Sequence, residues 1–259
     1  MKNIIKISIV NYLNSIPFRY GLENYNFDTK IELQKDIPSQ CAYKLKMGLV
    51  DIGLIPVAAI PEIENAKIIS NFCIGANGNV KTVALYSNQP VENISTIILD
   101  YHSRTSVQLA RILALHKWKI NPKWEKGEEG FEKNIDKEKA GVVIGDKTFA
   151  IENKYNFKYD LANEWKEMTS LPFVFACWVS NKELPVEFLR SLNSALEYGI
   201  MNIDASVDLY RKDICQISDD EAKKYLIENI NYNLDNDKKR ALDYYFKLSE
   251  KIISNPFIQ

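Results

Sequence analysis

Apolar residues recur along this chain with two periods, one typical of strands and one of helices. Alternating or continuous apolar runs at 4–10, 31–33, 50–56, 67–74, 81–86, 97–99, 141–144 and 173–179 predict strands. Between them, helical spacing predicts a short helix after Ser15 that Gly21 ends, one from Asp36 carrying Ala42 and Leu45 that Gly48 closes, and one over 105–116. Further helices are expected near 128–134 and over 161–168 and 186–200, and from Val207 onward the pattern is helical throughout.

Strands that alternate with helices imply an α/β fold with mostly parallel sheets, and such sheets bind ligands beyond the carboxyl ends of their strands. Polar residues gather at those places. Asn11, Tyr12, Asn14 and Ser15 follow the first strand, and Ser39 and Gln40 open the second helix. Ser103-Arg104-Thr105-Ser106 follows strand 97–99, and Gly145-Asp146 follows strand 141–144. The third group is the richest, with four side-chain donors at a helix start whose unpaired N–H groups and dipole favour an anion. Ordinary capping accounts for one of Ser103, Thr105 and Ser106, but a cap has no need of Arg104. The 75–79 loop carries two glycines and amides without the Lys and Ser/Thr of a phosphate loop, and reads as a turn.

Composition narrows the classes. At 259 residues and 46% hydrophobic, the chain can fill one large or two medium cores, and two lobes with a site between them is the natural arrangement. The 33 Lys and Arg against 34 Asp and Glu leave a net charge of −1, which offers no broad surface for nucleic acid or anionic lipid. An anionic ligand must therefore be held by local donors. Cys41, Cys73, Cys177 and Cys215 lie far apart, with no Cys-x-x-Cys and no histidine at metal-ligand spacing, so buried thiols in a reducing compartment are expected and no metal site is. Lys6 interrupts the apolar N-terminus, which reads as a first strand rather than an export signal, and no apolar run approaches the roughly 20 residues of a membrane span. A cytoplasmic protein without membrane partners is expected.

Several stretches, read together, resemble a known family. They are the run Asn11-Tyr12-Leu13-Asn14-Ser15-Ile16-Pro17-Phe18, Ile37-Pro38-Ser39 leading to Leu45, Gly48-Leu49-Val50-Asp51-Ile52-Gly53-Leu54-Ile55-Pro56, Val80-Lys81-Thr82-Val83, Ser103-Arg104-Thr105-Ser106, Ile144-Gly145-Asp146, and Leu171-Pro172-Phe173-Val174-Phe175-Ala176-Cys177-Trp178. In this order, over roughly residues 4–200, they resemble the chorismate dehydratases of the futalosine route to menaquinone. The resemblance implies a two-lobed fold like the type 2 periplasmic binding proteins, with the site in the cleft between lobes. With crossings placed near 87–91 and near Trp178, one lobe comprises 1–88 and 178–259 and the other 89–177.

The reaction the resemblance implies converts chorismate into 3-[(1-carboxyvinyl)oxy]benzoate and water without a cofactor. Asn14 and Thr82 would be the catalytic residues, Thr82 standing where the family usually has serine. Tyr12, Ser39, Gln40, Ser103, Arg104, Thr105, Ser106 and Asp146 would bind the dianionic substrate. A second departure is Ser170, where family members often have glycine, so that loop is expected to take a slightly different path. Neither histidine is a convincing base, since His102 stands on the loop and His116 near a helix end where a surface position is expected. Substrate assistance, with the enolpyruvyl carboxylate taking the proton, fits a site rich in amides and hydroxyls. Rival classes would share the fold. A non-catalytic solute-binding protein for small anions would call for an export signal, and the effector domain of a transcription regulator for a helix-turn-helix. The later enzyme of the same route, which makes the dihydroxynaphthoate, would differ at the 11–18 run.

Overall fold

The computed structural model describes residues 4–101, 103–213 and 215–253. The chain runs β1 (Ile5–Val10), α1 (Ile16–Asn24), β2 (Ile31–Asp36), α2 (Pro38–Lys46), β3 (Ile52–Pro56), β4 (Lys67–Ala76), β5 (Val83–Ser87), β6 (Thr96–Leu99) and α3 (Arg104–Leu113). It continues with β7 (Lys123–Lys126), β8 (Lys139–Ile144), β9 (Phe157–Asp160), α4 (Leu161–Thr169), β10 (Phe173–Ser180), α5 (Val186–Met201), α6 (Ile203–Tyr210), α7 (Asp219–Glu228), β11 (Asn231–Asn233) and α8 (Asn236–Ile253). These elements form two compact units.

One unit takes the chain up to Gly75 together with Val174–Asp235. Its sheet has the order β11-β4-β10-β3-β1-β2. Ile5, Ile7 and Ile9 are buried in β1, and the intervening Ser8 is buried too because its hydroxyl donates to Asp36 Oδ2 at 2.7 Å. Lys44 Nζ reaches the same carboxylate at 2.7 Å, tying α2 to the end of β2. Pro38 suits the first helical position of α2, where a missing N–H costs nothing, and Gly48 at φ +66° ends the segment as expected. Gly21 does not end a helix. It lies inside α1, where an added Cβ would stand 1.9 Å from the Ala195 carbonyl oxygen, and a Cβ on Gly199 of α5 would meet the Pro17 oxygen at 1.8 Å. The glycines let the two helices touch backbone to backbone.

The other unit takes Ala76–Phe173 and the chain from Asn236 onward. Its sheet has the order β7-β6-β8-β5-β9. A core of Ala84, Tyr86, Ile98, Phe131, Ile135, Val143 and Ile151 fills one face. On α3, Leu109, Ala110, Ile112 and Leu113 are buried, and the helix packs on α4 and α8.

The structure differs from the sequence expectations in several respects. The sheets are mixed. β2-β1-β3 and β7-β6-β8 are parallel, but β10 runs antiparallel to β3, β11 to β4, and β5 to both β8 and β9. The chain crosses between units after Gly75 and before Val174, not near 87–91 and Trp178, because β5 pairs with β8 and β9. It crosses a third time after Asp235, so α8 joins the second unit, where its Tyr245 hydroxyl donates to the Thr105 carbonyl at 3.4 Å. The region after Val207 is also not helical throughout, since β11 interrupts it.

Candidate functional site

Strand register gathers the second unit's sequence-marked residues at one edge of its sheet. β6 and β8 are parallel with Leu99 opposite Val142, so their carboxyl ends coincide. β5 is antiparallel to β8 with Val83 opposite Ile144, which sets Thr82 beside the end of β8, and the Gly145 N–H donates to the Thr82 carbonyl at 2.8 Å. β9 ends on the same side, Asp160 lying opposite Ala84. Thr82, Asp100, Ser103–Ser106, Asp146 and Asp160 therefore share one rim.

Each is held by its neighbours. Ser103 is the N-cap of α3, its hydroxyl oxygen accepting from the Ser106 N–H at 3.1 Å and donating to the Ser106 hydroxyl at 2.9 Å. The capping that one of these hydroxyls was expected to supply is thus done by Ser103. Thr105 and Ser106 are buried in the first turn, whereas Arg104 is exposed. Asp100 is buried, accepts from the Ile144 N–H at 3.3 Å and pairs with Lys147 Nζ at 2.7 Å. Gly145 at φ +75° makes the turn that Asp146 follows, a conformation glycine takes without cost.

Thr82 is 1% exposed. Its N–H donates to the Val80 carbonyl at 2.8 Å across Lys81, which stands at φ +65°. A three-residue turn with a positive central φ is the rarer, strained form. Burial pushes the Asp160 carboxyl up, against the pull of the Val80, Lys81 and Asn163 N–H groups that donate to it.

In the first unit, Tyr12 and Asn14 follow β1, and Ser39 and Gln40 lie in the first turn of α2 after β2. The parallel register, Val10 opposite Asp36, brings the two segments to one rim. Ser15 is buried and its hydroxyl donates to the Val10 carbonyl and, at 2.8 Å, to that of Tyr12, so it holds the loop rather than offering a free donor. The Asn14 carbonyl accepts from the Tyr232 hydroxyl at 2.9 Å, while its side-chain amide has no partner among the described residues.

Two groups at the second unit's rim, Asp160 and Lys147, and a third two turns along α3, Arg111, carry no clear mark in the sequence. Arg104, Val107 and Arg111 share a face of α3 and line a pocket of about 390 Å³ with Trp124 and Lys126. The Arg111 guanidinium stands 5.6 Å over the Trp124 ring, and burial alone lowers its pKa. The seven-residue spacing from Arg104 is the signal that could have found it. His102 lies outside the described residues. His116 is not a plain surface residue: it is half-buried in a π-turn after α3, its Nε2 has no hydrogen-bond partner among the described residues, and burial with Lys119 and Lys251 holds its pKa below the usual histidine value. All four cysteines are buried thiols outside any disulfide, and burial pushes the Cys41 thiol up to about 12. Among the described residues no group of three or more His, Cys, Asp or Glu is placed to hold a metal, and no helix is long and apolar enough to cross a membrane.

Two mixed α/β units, each presenting polar loops at the carboxyl ends of its parallel strands, define the class of periplasmic-binding-protein-like folds. Solved structures agree in fold. A protein from Archaeoglobus fulgidus matches with a TM-score of 0.78 at 14% identity, covering 96% of this chain and 97% of its own. The periplasmic aliphatic sulphonate binding protein of Escherichia coli matches with a TM-score of 0.67 at 13% identity, covering 100% and 94%. The chain belongs to the menaquinone biosynthesis family, which it matches over residues 5–251. It is 26% identical over 250 residues to the chorismate dehydratase of Campylobacter jejuni, covering 92% of this chain and 94% of that one. The chorismate dehydratase of Thermus thermophilus is 23% identical over 214 residues, covering 75% and 77%.

Proposed function

We propose that this protein is a chorismate dehydratase, a cofactor-independent lyase acting in the cytoplasm on the futalosine route. The observation that carries the reading is the nearly full-length similarity to the Campylobacter enzyme. The chemistry suits the two rims. Chorismate has two carboxylates, and with a net charge of −1 the protein must match them with local donors. The hydroxyls, amides and helix N-termini at the rims are donors of that kind. In the reaction a proton leaves ring carbon C3 and the hydroxyl leaves C4, so the ring becomes aromatic and one water is released with no net oxidation. Charge from C3 spreads through the ring diene to the C1 carboxylate, and donors placed there stabilise it.

In this reading, Thr105, Ser106 and Arg104 hold a carboxylate, with Ser103 setting the helix start. Tyr12, Ser39, Gln40 and the backbone at Asp146 complete the binding set. Thr82 presents a hydroxyl toward the reacting part of the ring. Asn14 supplies an amide that donates to a carboxylate or to the departing hydroxyl, and having no useful titration it orients rather than takes the proton. The enolpyruvyl carboxylate is the base.

Incubating the purified protein with chorismate should give an aromatic product, read by ultraviolet absorbance and mass. Asn14→Ala should lower kcat at least tenfold with a much smaller change in KM, as expected for an interaction stronger in the transition state than in the ground state. Absence of the aromatic product from wild-type protein would sink the reading, and near-normal kcat in Asn14→Ala would remove Asn14 from it.

A further inference from the structure

Asp160 does two jobs with two oxygens. Oδ1 accepts from the N–H groups of Ala162 at 3.1 Å and Asn163 at 3.2 Å, which makes Asp160 the N-cap of α4. The same oxygen accepts from the Val80 N–H at 3.2 Å, and Oδ2 accepts from the Lys81 N–H at 2.7 Å. Capping alone does not require a carboxylate, because Ser and Asn serve equally well. Only a carboxylate brings a second acceptor on the far side, and here that acceptor is spent on the one turn whose backbone is strained. Lys81 has no glycine-like freedom at φ +65°, so the turn persists only where its surroundings over-determine it. The Oδ2 bond and the Thr82 N–H to Val80 bond close it from both sides. The Gly145 N–H fixes the next carbonyl. Asp160 is itself 8% exposed, so little water is at hand to replace it as the acceptor for Lys81.

We propose that Asp160 is a positioning residue, its carboxylate locking the 80–82 turn so that the Thr82 hydroxyl is fixed at the rim. This rests on the reading of Thr82 as a catalytic group. Nothing in the local sequence marks the pair, which are separated by about eighty positions and meet only through the antiparallel β5–β9 register.

The test uses the whole protein. Asp160→Asn keeps an acceptor at Oδ1 for the α4 cap but places an amide donor against the Lys81 N–H, while Asp160→Ser keeps a cap and removes the second acceptor without repulsion. Backbone amide exchange at Lys81 and Thr82, and kcat and KM with chorismate, are measured for both variants beside the melting temperature. The expected result is at least tenfold faster exchange at Lys81 and at least a tenfold lower kcat, with KM changed less than threefold. Both variants should keep a cooperative thermal transition. A purely structural role would lower the melting temperature and leave kcat of the folded fraction untouched, and that result overturns the proposal. Unchanged exchange at Lys81 overturns the lock itself. Should wild-type protein make no aromatic product, the positioning role falls with the function it serves, while the exchange data still decide whether the lock exists. If Asp160→Asn does not fold, Asp160→Ser carries the same measurements.

Discussion

Ser170 ends α4 in the left-handed conformation, φ +62°, the region glycine enters without cost. The loop was expected to shift to accommodate a serine. The serine itself takes the glycine-like backbone angles and bears their strain, with the Ser170 N–H committed to the Lys166 carbonyl at 2.7 Å and the Leu171 N–H to the Thr169 hydroxyl at 3.1 Å. A non-glycine residue in this region costs about 1–2 kcal/mol, part of which glycine returns through its looser unfolded chain. Ser170→Gly should therefore raise stability by about 0.5–1 kcal/mol in urea titrations, and a loss of stability would show that the serine makes up its cost in some other way. At this scale the sequence was partly legible. A cap among Ser103, Thr105 and Ser106, and Gly48 as a helix stop, could be read from residue type and position. Lys81 and Asp160 could not, since each looks ordinary until a strand pairing joins them.

Elements tell a more regular story. The strands read most fully from the sequence lie inside the sheets, such as β10 with all eight residues buried and β8 with its apolar run. The three missed strands, β7, β9 and β11, are all sheet edges. Lys-Trp-Glu-Lys, Phe-Lys-Tyr-Asp and Asn-Tyr-Asn carry little apolar pattern because an edge is covered less and tolerates charge. Helix contacts supply the next prediction. In Gly21→Ala the new methyl would overlap a backbone carbonyl of α5, which cannot turn aside as a side chain would. Loss of about 3 kcal/mol or more is expected, at or beyond the top of the usual overpacking range, measured by urea unfolding. The π-turn that ends α3 supplies another. Its His116 is held below the ordinary histidine pKa, chiefly by burial, so in the folded protein it stays neutral where the unfolded chain already binds a proton. Stability from this residue is complete above the unfolded value of about 6.5 and is lost as pH falls toward the depressed folded value. The melting temperature of wild type should accordingly fall more between pH 7 and pH 5 than that of His116→Gln, and equal slopes would remove His116 as the source.

On the scale of the whole molecule, the alternation of strands and helices was enough to read an α/β fold, and the family resemblance carried the reading to two units of periplasmic-binding-protein type. What the pattern lacked was connectivity. Antiparallel pairing of β5 with β8 and β9 decides which unit residues 76–88 belong to, and a strand's own residues do not state its partner. The same holds for α8, which was expected in one lobe with 1–88 and 178–235. Its buried face, with Ala241, Leu242, Tyr245, Leu248 and Ile252, is a wall of the second unit. Tyr245 packs on Trp165 and Phe173 with ring centroids 6.3 and 5.4 Å apart, and Gln108 of α3 donates to the Ser249 carbonyl at 3.3 Å.

That third crossing sets an order of events on the ribosome. The donor-bearing helix α3 emerges early, yet the helix that braces it is translated only after β10, α5, α6, α7 and β11. A nascent chain halted after Asp235 holds every residue of the first unit, while α3 still leaves apolar surface open to water and to chaperones. The second unit thus matures after the first is fully synthesised, although most of its sequence is made in the middle of the chain. Ribosome pausing ahead of α8 would lengthen the time that the start of α3 spends without its support.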